Sequence, residues 1–143
     1  MTLFVLSDWG TGLVGFNLQG KTIGIIGTGR IGLTTAKILS RGFSSKVIAY
    51  DPYPNEEAAK EYGFKYTATL DELLGDSDIV SLHCPLTKST HHLLNHKTLS
   101  KLKPGAVLVN VARGALINTK ALIQYAFPPD LMLNTLTDND LAT

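Results

Sequence analysis

The chain alternates between short apolar runs rich in β-branched residues and segments with the apolar spacing of a helix. Near-continuous apolar runs of this length are typical of strands buried on both faces of a parallel sheet. Strands are predicted at Thr22–Ile26, Lys46–Tyr50, Ile79–Leu82 and Val107–Val111, with a short one near Phe64–Thr67. Helices are predicted at Arg30–Ser40, Asn55–Tyr62, Leu70–Leu74, Lys97–Leu102 and Thr119–Tyr125. This order predicts an α/β fold, a doubly wound parallel sheet whose ligands bind where the strands have their carboxyl ends.

Composition excludes several classes of protein. The 143 residues suffice for one domain with a real core, and the net charge of +1 gives no basic footprint for nucleic acid. The single cysteine, Cys84, fits a reducing compartment. The apolar start Met1–Leu6 is too short to span a membrane and has no basic residues before it. We therefore expect a cytoplasmic protein with no nucleic-acid or membrane partner and no metal.

A glycine-rich turn follows the first of the four longer predicted strands. It reads Gly27-Thr28-Gly29-Arg30-Ile31-Gly32, the pattern G-x-G-x-x-G, and Asp51 ends the next strand about 20 residues further on. Strand, glycine turn, helix, strand and acid at this spacing form the fingerprint of a dinucleotide-binding domain. The alternative is a glycine-rich turn in some other α/β protein.

Each glycine of the turn has a separate physical role. Gly27 allows a tight turn, Gly29 lets a pyrophosphate approach the backbone, and Gly32 lets the helix pack closely. The first N–H groups of the helix have no intrahelical acceptors and lie at the positive end of the helix dipole. The turn is therefore predicted to bind the anionic pyrophosphate without a lysine.

The acid at the end of the second strand predicts which dinucleotide is bound. The Asp51 carboxylate can accept hydrogen bonds from ribose hydroxyls and would repel a 2′-phosphate. The following residues, Pro52, Tyr53 and Pro54, supply no cation. NAD is therefore predicted as the cofactor in preference to NADP. We expect a Rossmann NAD-binding domain over residues 21–126, incomplete at its C-terminal side.

Three blocks of the sequence, the first of which includes the glycine turn, resemble one enzyme family, the D-isomer-specific 2-hydroxyacid dehydrogenases. The resemblance lies in Gly20–Gly32, in Asp76–Thr87 together with Lys103-Pro104-Gly105-Ala106, and above all in Asn110-Val111-Ala112-Arg113-Gly114-Ala115-Leu116-Ile117. Gly15-Phe16 and Tyr50–Asn55 most resemble the D-lactate dehydrogenases within it. The resemblance implies reversible hydride transfer between NADH and a 2-keto acid, with pyruvate and D-lactate as the expected pair and a homodimer as the expected assembly.

The resemblance also implies roles for individual residues. Arg113 matches the catalytic arginine that pairs with the substrate carboxylate and carbonyl, a task suited to a planar, permanently charged guanidinium. A loop arginine on the surface is the alternative. The residues that match positions contacting the cofactor are Gly27, Gly29, Arg30, Ile31, Gly32, Asp51, Cys84, Pro85, Thr90, Val111, Ala112 and Arg113. Considered without the family, Cys84 is instead typical of a small buried apolar residue.

Two catalytic residues of the family have no match here. The family's proton-donating histidine and its partner glutamate lie after the arginine, but all four histidines precede Arg113 and the last glutamate is Glu72. The pair His91-His92 is interpreted as a solvated loop or helix start, because no third metal ligand accompanies it. We therefore expect NAD binding with little dehydrogenase activity from this chain.

The two ends of the chain lack the alternating pattern. Residues 1–20 are expected to be a remnant of an inter-domain or leader segment, and residues 127–143, which open with Pro128-Pro129 shortly after a predicted helix, an irregular tail. The family's substrate domain is not apparent, so the sequence has the character of a truncated or frame-shifted product or an alternative transcript. Missing strands should leave an apolar sheet edge uncovered.

Two other functions stay open beside the dehydrogenase. One is a non-catalytic NAD-binding interaction module, similar to the C-terminal-binding corepressors; the lack of histidine and glutamate after Arg113 favours it. The other is an adenosylhomocysteinase-like cofactor domain, against which the Asn110–Ile117 block argues. In-frame coding sequence downstream with a glutamate and a Pro-His motif would favour the dehydrogenase.

Overall fold

A computed structural model of the chain describes residues 17–126 and, for the backbone, residues 2–4. Its strands are β1 (Thr2–Phe4), β2 (Thr22–Ile26), β3 (Lys46–Tyr50), β4 (Lys65–Tyr66), β5 (Ile79–Leu82) and β6 (Val107–Asn110). Its α-helices are α1 (Arg30–Gly42), α2 (Glu56–Tyr62), α3 (Leu70–Asp76), α4 (His96–Leu99) and α5 (Thr119–Ala126). A short 3₁₀ helix covers Gly114–Leu116.

The strands form one sheet in the order β1-β6-β5-β2-β3-β4. The five strands from β2 to β6 run parallel, whereas β1 runs antiparallel to β6. The order along the chain reverses at β2, which lies between β3 and β5, and ligands of doubly wound sheets bind at such a switch point. The α/β, doubly wound fold predicted from the sequence is confirmed.

Helices cover both faces of the sheet, as the apolar character of the strands requires. On one face, α1 and α2 contribute Ala36 and Ala59 to a buried cluster with residues of β2 and β3. On the other, α3, α4 and α5 contribute Leu73, Leu99 and Leu122 to a larger cluster that includes Val80 and Leu82 of β5. The two clusters pack against both faces of the sheet, and the loops at its carboxyl edge extend from this packed core.

Every element predicted over the described residues is present, with small differences at the ends. The largest shift is at α4, which begins before the predicted Lys97 and ends before the predicted Leu102. Asn95 sets the start, because its Oδ1 accepts hydrogen bonds from the N–H groups of Lys97 and Thr98. The helix ends early because the backbone changes to i→i−3 hydrogen bonds, as in a 3₁₀ turn; Leu102 N donates to Leu99 O at 3.1 Å.

Among the described residues, β1 and the short 3₁₀ helix are the elements that the sequence pattern did not predict. Residues Thr2–Phe4 pair with Asn110, Val109 and Leu108 along the outer side of β6. The expectation of an uncovered edge is therefore wrong at these three positions, because the start of the chain supplies the missing hydrogen-bond partners. The predicted tail, residues 127–143, lies outside the described residues, as do Gly15 and Phe16.

Two properties of the described residues bear on partners. No helix there combines the length and apolar character that crossing a membrane requires. Among the same residues, no group of three or more His, Cys, Asp or Glu side chains is arranged to hold a metal ion.

Asp78 anchors the amino-terminal edge of the sheet, opposite the glycine turn. Its Oδ2 accepts a hydrogen bond from Thr22 N at 2.8 Å, and its Oδ1 lies 3.1 Å from Lys103 Nζ. The hydrogen bond from Thr22 is the main reason that the pKa of Asp78 is lowered; burial opposes it and Lys103 reinforces it. The folded-state pKa thus lies below the unfolded value, so this stabilisation is present above about pH 4 and is lost as the pH falls through the folded-state pKa.

We expect Asp78→Asn to lower the free energy of unfolding by about 1 kcal/mol at pH 7, a modest value because the site is partly exposed. The difference from the wild type should shrink as the pH falls from about 4, near the unfolded-state pKa, through the lower folded-state pKa at which Asp78 becomes protonated in the native protein. Urea unfolding at several pH values measures both. Asp71→Asn is the matched control, because Asp71 is an exposed residue 4.0 Å from Lys101 and should change stability little. Equal effects of the two substitutions would contradict the role of Asp78.

Candidate functional site

The glycine turn is packed so tightly that side chains are excluded at two of its positions. Gly27 has a φ of +91°, and a Cβ on it would lie 2.6 Å from Cys84 N. A Cβ on Gly32 would lie 2.0 Å from Gly27 O. Gly27 thus lets the turn lie against the end of β5, while Gly32 lets the first turn of α1 close over the Gly27 carbonyl.

Gly29 has the opposite surroundings. A Cβ there would meet no atom within 4 Å, so the space above this glycine is open to a ligand. Gly29 is the N-cap of α1, no side chain caps this end, and the first turn carries no acidic residue. The first N–H groups of α1 thus lack a side-chain acceptor, which suits an anion such as a pyrophosphate.

Asp51 lies directly beside the turn. Its Oδ2 accepts hydrogen bonds from Thr28 N at 2.7 Å and from Thr28 Oγ1 at 3.0 Å, and its Oδ1 accepts one from Tyr53 N at 2.9 Å. A carboxylate offers about four acceptor positions, of which these three donors occupy three. One acceptor position on Oδ1 is therefore left for a ligand hydroxyl.

A cleft of about 380 Å³ continues from the turn towards the end of β6. It brings together five of the residues named from the sequence, namely Ile31, Pro85, Val111, Ala112 and Arg113, with Leu82, His83 and Leu86 beside them. Arg113 is exposed, and its Nη1 donates to Ala112 O at 2.9 Å, which leaves its other N–H groups for an acid. The apolar walls suit a flat ring, and the guanidinium suits a carboxylate next to it.

Asn110 shapes the Arg113 loop and was not singled out from the sequence. Its side chain is 6 % exposed, its Nδ2 donates to Arg113 O at 2.9 Å, and its Oδ1 accepts from Ala112 N at 3.0 Å. The side-chain amide thus fixes the loop through two hydrogen bonds to its backbone, one with each end of the amide. An asparagine at the end of a strand, followed by a turn, is the sequence signal that could have indicated this role.

Cys84 and Thr90 lie next to the site but not in the lining of the cleft. Cys84 belongs to the buried cluster, burial raises the pKa of its thiol, and its backbone lies against Gly27. Any cofactor contact at Cys84 would therefore involve the backbone. Thr90 donates from its hydroxyl to Pro85 O at 2.6 Å and accepts from Thr87 N at 2.8 Å, which closes the loop after β5.

Three of the four histidines lie near the loops after β5, in two environments; His96 begins α4. His83 lines the cleft, its Nε2 lies 2.9 Å from Ser81 Oγ, and burial lowers its pKa. His83 was missed because it follows a strand without a motif of its own. His91 and His92 stack on each other with ring centroids 3.8 Å apart, within a turn. Asn118 Nδ2 approaches His92 Nδ1 at 3.5 Å.

The switch point, the glycine turn, the acid at the end of β3 and the cleft define a dinucleotide-binding domain of the doubly wound α/β class. Comparison with known proteins then narrows this class. Residues 5–126 match the family described as "D-isomer specific 2-hydroxyacid dehydrogenase, NAD binding domain". The chain belongs to this family, and NAD is the cofactor of such domains, as the sequence predicted.

Individual relatives agree with this assignment. The chain is 51 % identical to a 2-hydroxyacid dehydrogenase homolog of Zymomonas mobilis and 48 % identical to the D-lactate dehydrogenase of Escherichia coli, over 79 % of its own length in both cases. The structure of Salmonella D-lactate dehydrogenase superposes on 80 % of the chain with a TM-score of 0.75 at 46 % identity. An NAD-complexed D-isomer-specific 2-hydroxyacid dehydrogenase of Lactobacillus delbrueckii superposes on 82 % of it with a TM-score of 0.72 at 41 % identity.

The matches cover a much smaller share of the relatives. The chain spans about a third of their length: 34 % of the Zymomonas protein, 33 % of the Escherichia protein and 34 % of both the Salmonella and the Lactobacillus structures.

Proposed function

We propose that this chain is the NAD-binding unit of an NAD-dependent D-2-hydroxyacid dehydrogenase that interconverts pyruvate and D-lactate in the intact enzyme. The observation that carries the proposal is the common placement of the glycine turn, Asp51 and Arg113 along the carboxyl edge of one sheet, with a cleft from Ile31 to Arg113. A dinucleotide needs such a row of contacts, from ribose to nicotinamide. The names of the D-lactate dehydrogenase relatives support the substrate assignment.

The residues around the turn would hold the adenosine and pyrophosphate end. The open space at Gly29 and the first N–H groups of α1, which include those of Arg30 and Ile31, would receive the pyrophosphate. Gly27 and Gly32 would keep the turn in shape for it. The remaining acceptor position on Asp51 Oδ1 would take a ribose hydroxyl, and the negative charge would repel a 2′-phosphate. The end of β5, at Cys84 and Pro85, would border the adenosine side.

The far end of the cleft would hold the nicotinamide and the substrate. Val111 and Ala112 would contact the ring, and Thr90 would fix the loop that borders it. Arg113 would bind the carboxylate and the carbonyl oxygen of a 2-keto acid through its N–H groups. When bound, NADH supplies the hydride to the carbonyl carbon, and the resulting alkoxide needs one proton to become the D-2-hydroxy acid.

Cofactor binding does not require a proton donor, but turnover does. Neither a histidine nor a glutamate follows Arg113 in the sequence, so the proton donor and the partner that the family uses have no counterpart in this chain. We therefore propose that the 143 residues bind NADH but turn over substrate slowly. A non-catalytic NAD-binding module, similar to the C-terminal-binding corepressors, is the second candidate, and the same absence favours it.

Fluorescence titration tests cofactor binding directly. We expect the chain to bind NADH with a Kd below about 1 mM and to bind NADPH more weakly, because of the charge on Asp51. Asp51→Asn should weaken NADH binding by about tenfold, since a charge-assisted hydrogen bond is lost, and should bring the two affinities together.

Glu57→Gln is the control for the Asp51 experiment. It removes a carboxylate from the exposed first turn of α2 and should leave both affinities unchanged. Lack of NADH binding by the wild type at millimolar cofactor would contradict the proposed function. A homodimeric assembly and a cytoplasmic location are further parts of the proposal, which size-exclusion chromatography and cell fractionation would test.

A further inference from the structure

A chain of hydrogen bonds reaches Asp51 from a residue of β4 that no motif includes. Tyr66 OH donates to Thr28 Oγ1 at 2.8 Å, and Thr28 Oγ1 donates to Asp51 Oδ2 at 3.0 Å. At its other side, Tyr66 OH accepts a hydrogen bond from Asn55 N at 3.1 Å. The tyrosine hydroxyl therefore joins the glycine turn to the loop between β3 and α2, the two segments next to Asp51, where the proposed function places the ribose.

The direction of every bond in this chain is fixed by chemistry. A backbone N–H can only donate, so Asn55 N makes Tyr66 OH an acceptor at that contact. An ionised carboxylate can only accept, so the single proton of the Thr28 hydroxyl points to Asp51. Thr28 Oγ1 must then accept the proton of Tyr66. Because no member can reverse its role without breaking a bond, the chain restrains the orientation of the Asp51 carboxylate.

The surroundings hold Tyr66 in place. Tyr66 pairs with Ala49 in the register of β3 and β4, and its ring packs edge-on against the buried Phe64 with centroids 5.3 Å apart. Thr28 is itself buried, at 7 % exposure. The pairing of β4 with β3 thus places the hydroxyl of Tyr66 at a partly buried contact, where a hydrogen bond is worth more than at an open surface.

We infer that Tyr66 is a positioning residue for cofactor recognition: through Thr28 it orients Asp51 so that Oδ1 faces the ribose. The inference rests on the proposed function, since it names a determinant of the same site. Without the Tyr66 hydroxyl, Thr28 Oγ1 loses the donor that fixes its rotation, so one of the three hydrogen bonds that orient the carboxylate is weakened while those from Thr28 N and Tyr53 N remain. The preference for a free 2′-hydroxyl over a 2′-phosphate should then weaken, because hydrogen bonding to the hydroxyl and repulsion of the phosphate both depend on the position of the Asp51 carboxylate.

The test compares Tyr66→Phe with the wild type in titrations with NADH and with NADPH. We expect Tyr66→Phe to weaken NADH binding by about 3- to 10-fold, the range of one hydrogen bond. The Kd for NADPH should change less, so the ratio of the Kd for NADPH to the Kd for NADH should fall. A role in stability alone would lower the melting temperature without changing that ratio.

A matched control and a double variant test whether Tyr66 affects cofactor binding through Thr28. Tyr125→Phe also removes a tyrosine hydroxyl that donates one hydrogen bond, to Leu102 O at 3.2 Å, but far along the chain from the turn. It should leave both dissociation constants unchanged. Thr28→Val removes the intermediate hydroxyl with little change of shape. Adding Tyr66→Phe to Thr28→Val should then cost no further NADH affinity, because the path is already broken.

The outcomes distinguish this inference from the proposed function. If the wild type binds NADH and Tyr66→Phe leaves the ratio of the Kd for NADPH to the Kd for NADH unchanged, the inference is overturned while the proposed function stands. Additive effects of Tyr66→Phe and Thr28→Val would overturn it as well. If the wild type binds no NADH, the proposed function and the inference are overturned together.

Discussion

Gly32→Ala should destabilise the fold by about 3 kcal/mol or more, the upper part of the range for overpacking a buried site. The new Cβ would lie 2.0 Å from Gly27 O, a backbone atom that cannot rotate away. Alanine has a better helix propensity than glycine, a gain of about 1 kcal/mol within α1. The clash should outweigh that gain, since α1 or the turn must move as a unit to relieve it. Urea unfolding followed by circular dichroism measures the loss.

Two other glycines provide the controls for Gly32→Ala. At Gly42, the last residue of α1, a Cβ meets nothing within 4 Å, so alanine there should not lower the stability. At Gly29 the space is also open, and Gly29→Ala should change stability by less than about 1 kcal/mol while weakening NADH binding strongly. Wild-type stability in Gly32→Ala would contradict the packing argument. Wild-type NADH affinity in Gly29→Ala would contradict the pyrophosphate assignment.

Turnover of pyruvate with NADH by the 143-residue chain should be at least about 10²-fold below that of a full-length D-lactate dehydrogenase. The loss of general acid catalysis alone accounts for about 10² to 10⁴ in rate. Poorer positioning of the substrate and access of water to the cleft add to it. His83 is the histidine that lines the cleft, but burial lowers its pKa and so disfavours the imidazolium needed to donate a proton at neutral pH.

The assay follows NADH absorbance under saturating pyruvate, with the Escherichia coli D-lactate dehydrogenase as the reference. Arg113→Met is the control within the chain, because any activity that survives it does not come from the proposed site. A rate within about tenfold of the reference, abolished by Arg113→Met, would contradict the expectation of slow turnover and would require a proton donor other than the family's histidine.

Local patterns were enough to predict the parallel sheet and the cofactor class. The apolar runs at β2, β3, β5 and β6 are near-continuous, which fits a sheet covered on both faces, and the glycines report backbone geometry directly. Gly27, with its positive φ, is an example: the residue type itself carries the structural information.

Features that depend on register could not be predicted in the same way. Tyr66 reaches Thr28 only because β4 pairs with β3 so that Ala49 lies opposite Tyr66. The antiparallel pairing of Thr2–Phe4 with β6 joins segments that are about 100 residues apart in the sequence, and three residues carry too little pattern to indicate it. The residue type of Cys84 already indicated that its side chain is buried, whereas the approach of its backbone to Gly27 is a tertiary contact that no local pattern indicates.

The position of the cleft has a thermodynamic consequence. Its walls come from the start of α1, the end of β5 and the loop after β6, so no single segment of the unfolded chain contains the site. A ligand that binds only the assembled sheet shifts the folding equilibrium by mass action, by about 2.7 kcal/mol when it is present at 100 times its Kd. For a domain of this size, that is a sizeable part of the total stability. The cellular concentration of the dinucleotide would then set how much of this chain is folded.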